Sequence, residues 1–237
     1  MEVLDARVSE IIPRTYNVTS FRLVMDSFLP FLAGQFFQVT LKINGQEQSK
    51  YFSFSNSPTE NGYIEFTKKM TGSEFSKALE GLRAGDTVKI KMPFGSFTLN
   101  ESAPKHVFLS GGIGITPIRS MLKNALDRQL PLDMVLFYSN RSPEDIAFRS
   151  EFEEMARCHK NLKIILSLDT NEACHAGWKG KCGFINAAMI KEELPDLPER
   201  IFYVCGPPAM VKSLASILEG QLKISSEKIK KENFTGY

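Results

Sequence analysis

Histidine is scarce in this chain: three residues in 237. With so few imidazoles, and no Gly-x-Ser-x-Gly segment, a hydrolytic triad has no foundation. An excess of one charge is also missing. Lys and Arg total 29 against 27 Asp and Glu, a formal net charge of +2. That is too small to argue for a nucleic acid or an anionic membrane surface as partner. No apolar run approaches the roughly 18 residues of a membrane span. Residues 1–10 are polar and mixed in charge, unlike the apolar core of a secretory leader. The four cysteines all lie in the second half and do not suggest a disulfide scaffold. Cys158, His159, Cys174, His175 and Cys182 show neither of the pair spacings typical of a zinc site. The expectation is a cytoplasmic protein with no metal centre and no membrane span. Its length suits one large domain or two ordinary ones, and 43% hydrophobic residues can build a substantial core.

The first hundred residues read as β-structure. Runs rich in β-branched and aromatic residues occupy 6–12, 18–25, 36–43, 51–55, 63–67 and 87–92, separated by turn residues such as Asn44-Gly45 and Asn61-Gly62. Six such strands suggest a small antiparallel barrel, interrupted by one helix over 74–82 with Ser73 as its cap. Residues 98–105 lose the periodicity and read as a linker. Strand-like runs at 107–109, 134–138, 162–168 and 201–205 then alternate with helical patterns near 117–128, 147–158, 185–194 and 208–222. That alternation predicts an α/β, doubly wound parallel sheet, whose ligands bind beyond the carboxyl ends of its strands.

One stretch stands at such an end: Ser110-Gly111-Gly112-Ile113-Gly114-Ile115-Thr116-Pro117. Three glycines in four residues let backbone approach a ligand closely, and a helix start offers unpaired N–H groups. Thr116 suits the N-cap and Pro117 the first helical position. The stretch suits a phosphate-bearing ligand; a plain strand–helix turn is the alternative. It is not the usual dinucleotide fingerprint, since Pro117 replaces the third glycine and no acidic residue closes the next strand. It is not a P-loop either.

Other strand ends hold further candidates. Ser139-Asn140-Arg141 follows the second strand of the α/β half, either as a phosphate grip or as a solvated loop. Cys205-Gly206-Pro207-Pro208-Ala209-Met210 follows the fourth, its cysteine either a reactive group or a small buried hydrophobe. In the β half, residues 50–58 combine a cation, aromatics and hydroxyls, with Ser53 and Ser55 expected on one strand face and Phe52 and Phe54 on the other. Thr71-Gly72-Ser73-Glu74-Phe75-Ser76 supplies a second helix start suited to an anion.

Together these segments resemble the ferredoxin–NADP reductase superfamily of flavin-dependent electron-transfer oxidoreductases. Gly34-Gln35-Phe36, Lys50-Tyr51-Phe52-Ser53, residues 72–76, Pro93-Phe94-Gly95-Ser96-Phe97, residues 111–117, residues 205–210 and Phe234-Thr235-Gly236-Tyr237 occur in that family's order.

The resemblance implies an FAD-binding β-barrel over 1–101 and an NAD(P)-binding α/β domain over 102–237, with FAD favoured over FMN. Lys50, standing where the family usually has arginine, would meet the flavin phosphates as a point charge. Tyr51 belongs to the same cofactor-binding strand. Phe52, where tyrosine is common, would lie against the isoalloxazine, and Ser53 near flavin N5. Thr67, Lys68, Lys69 and Met70 would border the ribityl and phosphate region, and Ser76 the pyrophosphate. Gly111, Gly112, Gly114, Ile115, Thr116, Ser139, Arg141, Cys205, Gly206, Pro207 and Met210 would hold NAD(P)H. Tyr237 would cover the flavin ring and yield to nicotinamide.

Ser53, Cys205 and Tyr237 are the implied catalytic positions, in a hydride transfer from NAD(P)H to FAD. The family's plant-type iron–sulfur spacing is absent, so the implied acceptor is a separate ferredoxin, flavodoxin or oxygenase component. Reduction of free flavin, or a cofactor-binding subunit without its own turnover, are the alternatives. Lys68-Lys69 and lysines 223, 228, 230 and 231 suit an acidic protein partner or simply a solvated surface.

Overall fold

The computed structural model describes residues 3–27, 29–169, 174 and 177–234. It divides into two compact units. The first comprises Met1–Leu99 with Thr116–Arg128, and the second Asn100–Ile115 with Gln129–Gly236.

In the first unit six strands form one antiparallel sheet. They are β1 (Leu4–Thr15), β2 (Val18–Val24), β3 (Phe36–Ile43), β4 (Gln46–Ser53), β5 (Ile64–Lys69) and β6 (Thr87–Phe94), in the order β4-β3-β6-β1-β2-β5. Strand β3 shows the pattern that drives this: Phe37, Val39, Leu41 and Ile43 are buried while the residues between them are not. The outer strands meet. The Phe52 ring of β4 lies 4.6 Å from Phe66 of β5, and Ser55 N donates to Glu65 O at 2.8 Å. The sheet thereby curls into the expected barrel around Phe21, Phe37, Phe54 and Phe66, each at most 1% exposed. Helix α1 (Glu74–Glu80) adds Phe75 and Leu79 to this core and ends at Gly81, earlier than the sequence pattern suggested.

The alternation expected across 52–55 stops where β4 ends, at Ser53. Phe54 and Ser55 are both fully buried. Phe54 packs on Phe31 at 3.9 Å and Phe37 at 4.6 Å. The Ser55 hydroxyl donates to Glu65 Oε1 at 2.9 Å, and Arg14 and Arg22 donate to Glu65 Oε2 at 3.1 and 3.0 Å. Thr67 joins Ser55 to Ser20 at 2.8 and 2.7 Å. A carboxylate at 1% exposure is tolerated here because it is paired and hydrogen-bonded.

The second unit holds six parallel strands: β7 (Lys105–Gly111), β8 (Asp133–Asn140), β9 (Leu162–Leu168), β10 (Lys181–Cys182), β11 (Ile201–Gly206) and β12 (Ile229–Asn233), in the order β10-β9-β8-β7-β11-β12. Helix α2 (Ile115–Asp127) follows β7, α3 (Arg149–Cys158) follows β8, α4 (Ala187–Glu193) follows β10 and α5 (Pro208–Ser216) follows β11. From Thr116 onward α2 is counted with the first unit. Strand β8 is buried almost end to end, as a parallel strand covered on both faces must be. Strands β10 and β12 were not foreseen. The first has two residues, and the second is a charged edge strand without apolar alternation.

Chain order reverses between β7 and β11, and the crevice at such a switch point is where open α/β sheets bind ligands. At the opposite end, Arg200 clamps Asp133 at 2.7 Å and Asp196 at 2.6 Å, while Lys105 meets Asp196 and Glu199, each at 2.7 Å. One disulfide joins Cys174 to Cys182, eight residues apart. The sequence reading did not expect a disulfide: two cysteines at this separation give no spacing cue. His175 lies outside the described residues, and no described group of three or more metal-ligating side chains comes together. No described helix is long and apolar enough to cross a membrane.

Candidate functional site

The glycine stretch leaves β7 at Gly111 and makes one turn of 3-10 helix over Gly112–Gly114, which runs without a break into α2 at Ile115. The helix therefore starts earlier than the expected cap at Thr116. Thr116 is its second residue and is 1% exposed. No side chain caps the turn, and a helix start of this kind is suited to an anion.

The three glycines serve different ends. A Cβ on Gly114 would sit 2.6 Å from Cys205 O, so this glycine is needed for packing against the end of β11, whereas one on Gly111 would sit 2.4 Å from Sδ of the flexible Met210 side chain on α5. Gly112 has φ +52° and nothing within 4 Å of its missing side chain. It alone turns the backbone toward open space. Tyr138 Oη donates to Gly112 O at 3.1 Å and fixes that turn from β8.

The register of the sheet lines up three groups beside it. Cys205 is paired with Ser110 on β7 and with Glu232 on β12, and residues paired this way project to one face. Ser110 Oγ and Glu232 Oε2 are buried and have no hydrogen-bond partner among the described residues. Burial pushes the Glu232 carboxyl up to about 7. Burial, and then the nearby Glu232 charge, pushes the Cys205 thiol well above its ordinary range. Cys205 is therefore a neutral thiol at physiological pH, unsuited to nucleophilic work. Gly206 and Pro207 lead from it into α5.

One strand further, the Ser139 hydroxyl donates to Asp169 Oδ1 at 2.5 Å and accepts from Ser167 Oγ at 3.1 Å. Asp169 N in turn donates to Asn140 O at 2.8 Å. An acidic residue does close a strand here, but it follows β9, not β8. Arg141 is exposed and has no ion pair among the described residues.

In the barrel, Lys50 and Tyr51 are exposed, Phe52 is half-buried and Ser53 is buried. Tyr51 meets the rings of Phe36 and Phe94 edge-on at 5.6 and 5.9 Å. Phe52 turns to the core, against Phe66 and Phe75. Across from β4, Thr67 directs its hydroxyl inward to Ser20 and Ser55, and Met70 N donates to Asn17 O at 2.6 Å.

Lys68 is 8% exposed. Its ammonium donates to Lys69 O at 3.1 Å, and its pKa is lowered by burial and then by the charge of Lys50. Neither Lys50 nor Lys68 has an ion pair among the described residues. Ser76, fully buried, exchanges hydrogen bonds with Thr71 and Ser73, at 3.0 and 3.1 Å between hydroxyls. The start of α1 is thus satisfied by its own hydroxyls. Gly34, Gln35 and Phe36 interlock with the 93–97 segment: Gln35 Nε2 donates to Gly95 O at 3.1 Å, and a Cβ on Gly34 would sit 2.1 Å from Phe97 O. Tyr237 and the two residues before it lie outside the described residues.

Two neighbouring cations without a counter-charge, one of them buried, fit a group that brings phosphate. An uncapped glycine turn at a sheet switch point fits a second such group.

Residues 5–99 match the oxidoreductase FAD-binding domain family, and residues 108–216 the oxidoreductase NAD-binding domain family. The chain is 32% identical to the glycine betaine monooxygenase reductase subunit of Pseudomonas aeruginosa over 90% of its own length and 60% of that protein's. It is 30% identical to NADH-cytochrome b5 reductase 1 of Aspergillus terreus, covering 86% of this chain and 73% of the relative. The structure of the cytochrome P450 reductase GcoB of Amycolatopsis superposes with a TM-score of 0.85 at 26% identity, over 99% of this chain and 70% of that one. The chain thus spans about 60% of the length of the monooxygenase reductase subunits it matches. It belongs to the ferredoxin–NADP reductase superfamily, with an FAD-binding domain followed by an NAD-binding domain.

Proposed function

We propose that this chain is an FAD-dependent NAD(P)H oxidoreductase that delivers electrons to a separate acceptor protein in the cytoplasm, where reduced nicotinamide nucleotides are available. The domain division is 1–101 for flavin and 102–237 for nucleotide. The observation that carries the flavin half is the Lys50–Lys68 pair, whose mutual repulsion and burial are relieved by a bound phosphate. When bound, FAD supplies acceptance of a hydride and release of single electrons.

The chain's own groups orient and insulate. Ser53 offers a hydroxyl beside the flavin-binding strand. Cys205, as a neutral thiol, fills the strand end without reacting. Glu232 Oε2, with its carboxyl at about 7, holds or gives up a proton near neutral pH. Lys50, Lys68, Lys69 and Ser76 form the flavin phosphate side. Residues 111–116, Ser139, Arg141 and residues 205–210 form the nucleotide side; for Tyr237, outside the described residues, the resemblance implies the role of flavin-ring cover.

NADH is the preferred reductant in this reading. The Ser139 hydroxyl, which could otherwise meet a 2′-phosphate, is engaged by the Asp169 carboxylate. That carboxylate repels a phosphate and can accept from a ribose hydroxyl.

The acceptor follows from what the relatives are called: reductase subunits and components of a glycine betaine and a propane monooxygenase. By analogy, this chain serves an oxygenase component or its ferredoxin. The test is steady-state turnover with an acidic ferredoxin against free FMN across a salt series. A protein acceptor predicts turnover that falls steeply with salt. Equal or faster turnover with FMN, insensitive to salt, selects the free-flavin alternative.

A further inference from the structure

Helix α2 leaves the glycine turn at Ile115, and Arg119 stands about one helical turn further on. Arg119 is 4% exposed. Its guanidinium donates to Ser55 O at 2.9 Å and grips both oxygens of Glu60, Oε1 at 3.1 Å and Oε2 more closely. Glu60 also accepts from Ser57 N at 2.7 Å and from Tyr63 Oη at 3.2 Å. Burial opposes its charge, yet the hydrogen bonds and the Arg119 charge prevail and hold its pKa below the ordinary carboxylate value.

Two further ties run in parallel. Ser120 Oγ donates to Asn56 O at 2.6 Å, and Thr59 Oγ1 donates to Asp127 Oδ2 at 2.5 Å. Residues 55–60 are the chain that leaves β4 directly after Ser53. Every one of these contacts lies inside the first unit.

The helix that begins at the glycine turn is therefore fastened to the segment that continues from the flavin strand. A bidentate Arg–carboxylate pair is directional and tolerates little slippage. It passes a shift of the helix to the strand end as a displacement, where a loose contact would absorb it.

We infer that Arg119 is a positioning residue that couples the two cofactor sites: with Glu60 it makes occupancy of the glycine turn and occupancy of the flavin strand favour each other. This rests on the FAD and NAD(P)H assignment made above. Coupling of this kind is reciprocal, so either ligand can report it.

The probe is ADP-ribose, which has the pyrophosphate but no nicotinamide and so cannot stack on the flavin. Its dissociation constant is measured by calorimetry on apo and FAD-loaded protein, for wild type, Arg119→Lys and Glu60→Gln. The coupling factor is the ratio of the two constants. Wild type should bind ADP-ribose roughly fivefold or more tightly when FAD is present, within the usual range for such coupling. In both variants the ratio should fall to about one, while each ligand still binds. A merely structural role would lower thermal stability and leave the ratio unchanged.

Should either variant fail to fold, Ser120→Ala, which removes one outer tie and leaves the ion pair, should lower the ratio partway. A wild-type ratio of one, or a ratio that survives in the folded variants, overturns the coupling. Absence of FAD or ADP-ribose binding to wild type instead overturns the cofactor assignment, and the coupling with it.

Discussion

Cys205 and Glu232 sit opposite each other on adjacent parallel strands, and the Glu232 charge adds to burial in disfavouring ionisation of the thiol. The carboxyl is held at about 7 by burial, and the thiol well above its usual range. The consequence for stability has a definite sign. The folded-state pKa of Glu232 is raised from 4.5 to about 7, so its contribution is fully present below pH 4.5 and is lost as pH rises through 7. Glu232→Gln should unfold at higher urea than wild type at pH 8.5. The difference should vanish at pH 4.5. Equal midpoints at both pH values would remove Glu232 from the account.

The Ser139–Asp169 hydrogen bond predicts nucleotide choice. Asp169→Ser removes the charge that opposes a 2′-phosphate. The ratio of kcat/KM for NADH over NADPH should fall by about tenfold or more, chiefly through KM for NADPH. An unchanged ratio means that Asp169 does not face the ribose.

Lys68→Met separates the two states of the flavin site. A charged hydrogen bond to phosphate is worth about 1.5–3 kcal/mol, so FAD affinity should drop roughly 10- to 100-fold. Without cofactor the same change removes a buried cation repelled by Lys50, and the apo protein should melt higher, not lower. Thermal scans with and without FAD check both signs.

Arg200 staples the amino ends of the second sheet. Arg200→Ala leaves Asp133 and Asp196 facing each other, and should cost about 3 kcal/mol, the lower end for a pair broken at one partner, because both carboxylates partly reach solvent. The Arg200 hydrogen bond is the largest influence on Asp196, which is lowered from 3.8 to about 2. The stabilisation is therefore present above pH 3.8 and is lost as pH falls through 2. Urea curves at pH 7 and pH 2.5 should show a wide gap between variant and wild type, then a narrower one.

Much of this architecture is legible in the residues, for reasons that vary by element. Strands over 36–43 and 162–168 were read to the residue because apolar alternation or a continuous apolar run marks both ends. Strand β12 was not, since an edge strand of Lys and Glu has no core-facing rhythm. The glycine turn was legible as a ligand candidate, but its helix start was not. A 3-10 turn has no side-chain signature to set against the Thr-Pro pair that follows. Asp169 has no such cue: a ribose-binding acid is expected at the end of the next strand in sequence, whereas sheet register brings Asp169 from the end of β9 to Ser139 on β8. Arg119 carries no cue in the sequence, since one charged residue on an amphipathic helix is ordinary; only the tertiary path of residues 55–60 reveals its partner.

The central claim is that this chain holds FAD and passes to it a hydride from a nicotinamide nucleotide. The most direct measurement is the absorbance spectrum of the FAD-reconstituted protein, titrated anaerobically with NADH and separately with NADPH. The account predicts a yellow protein whose flavin band is bleached in proportion to added NADH, to an end point of about one equivalent per flavin, with NADPH acting more slowly. A protein that retains no flavin, or a flavin band that neither nucleotide diminishes, contradicts it.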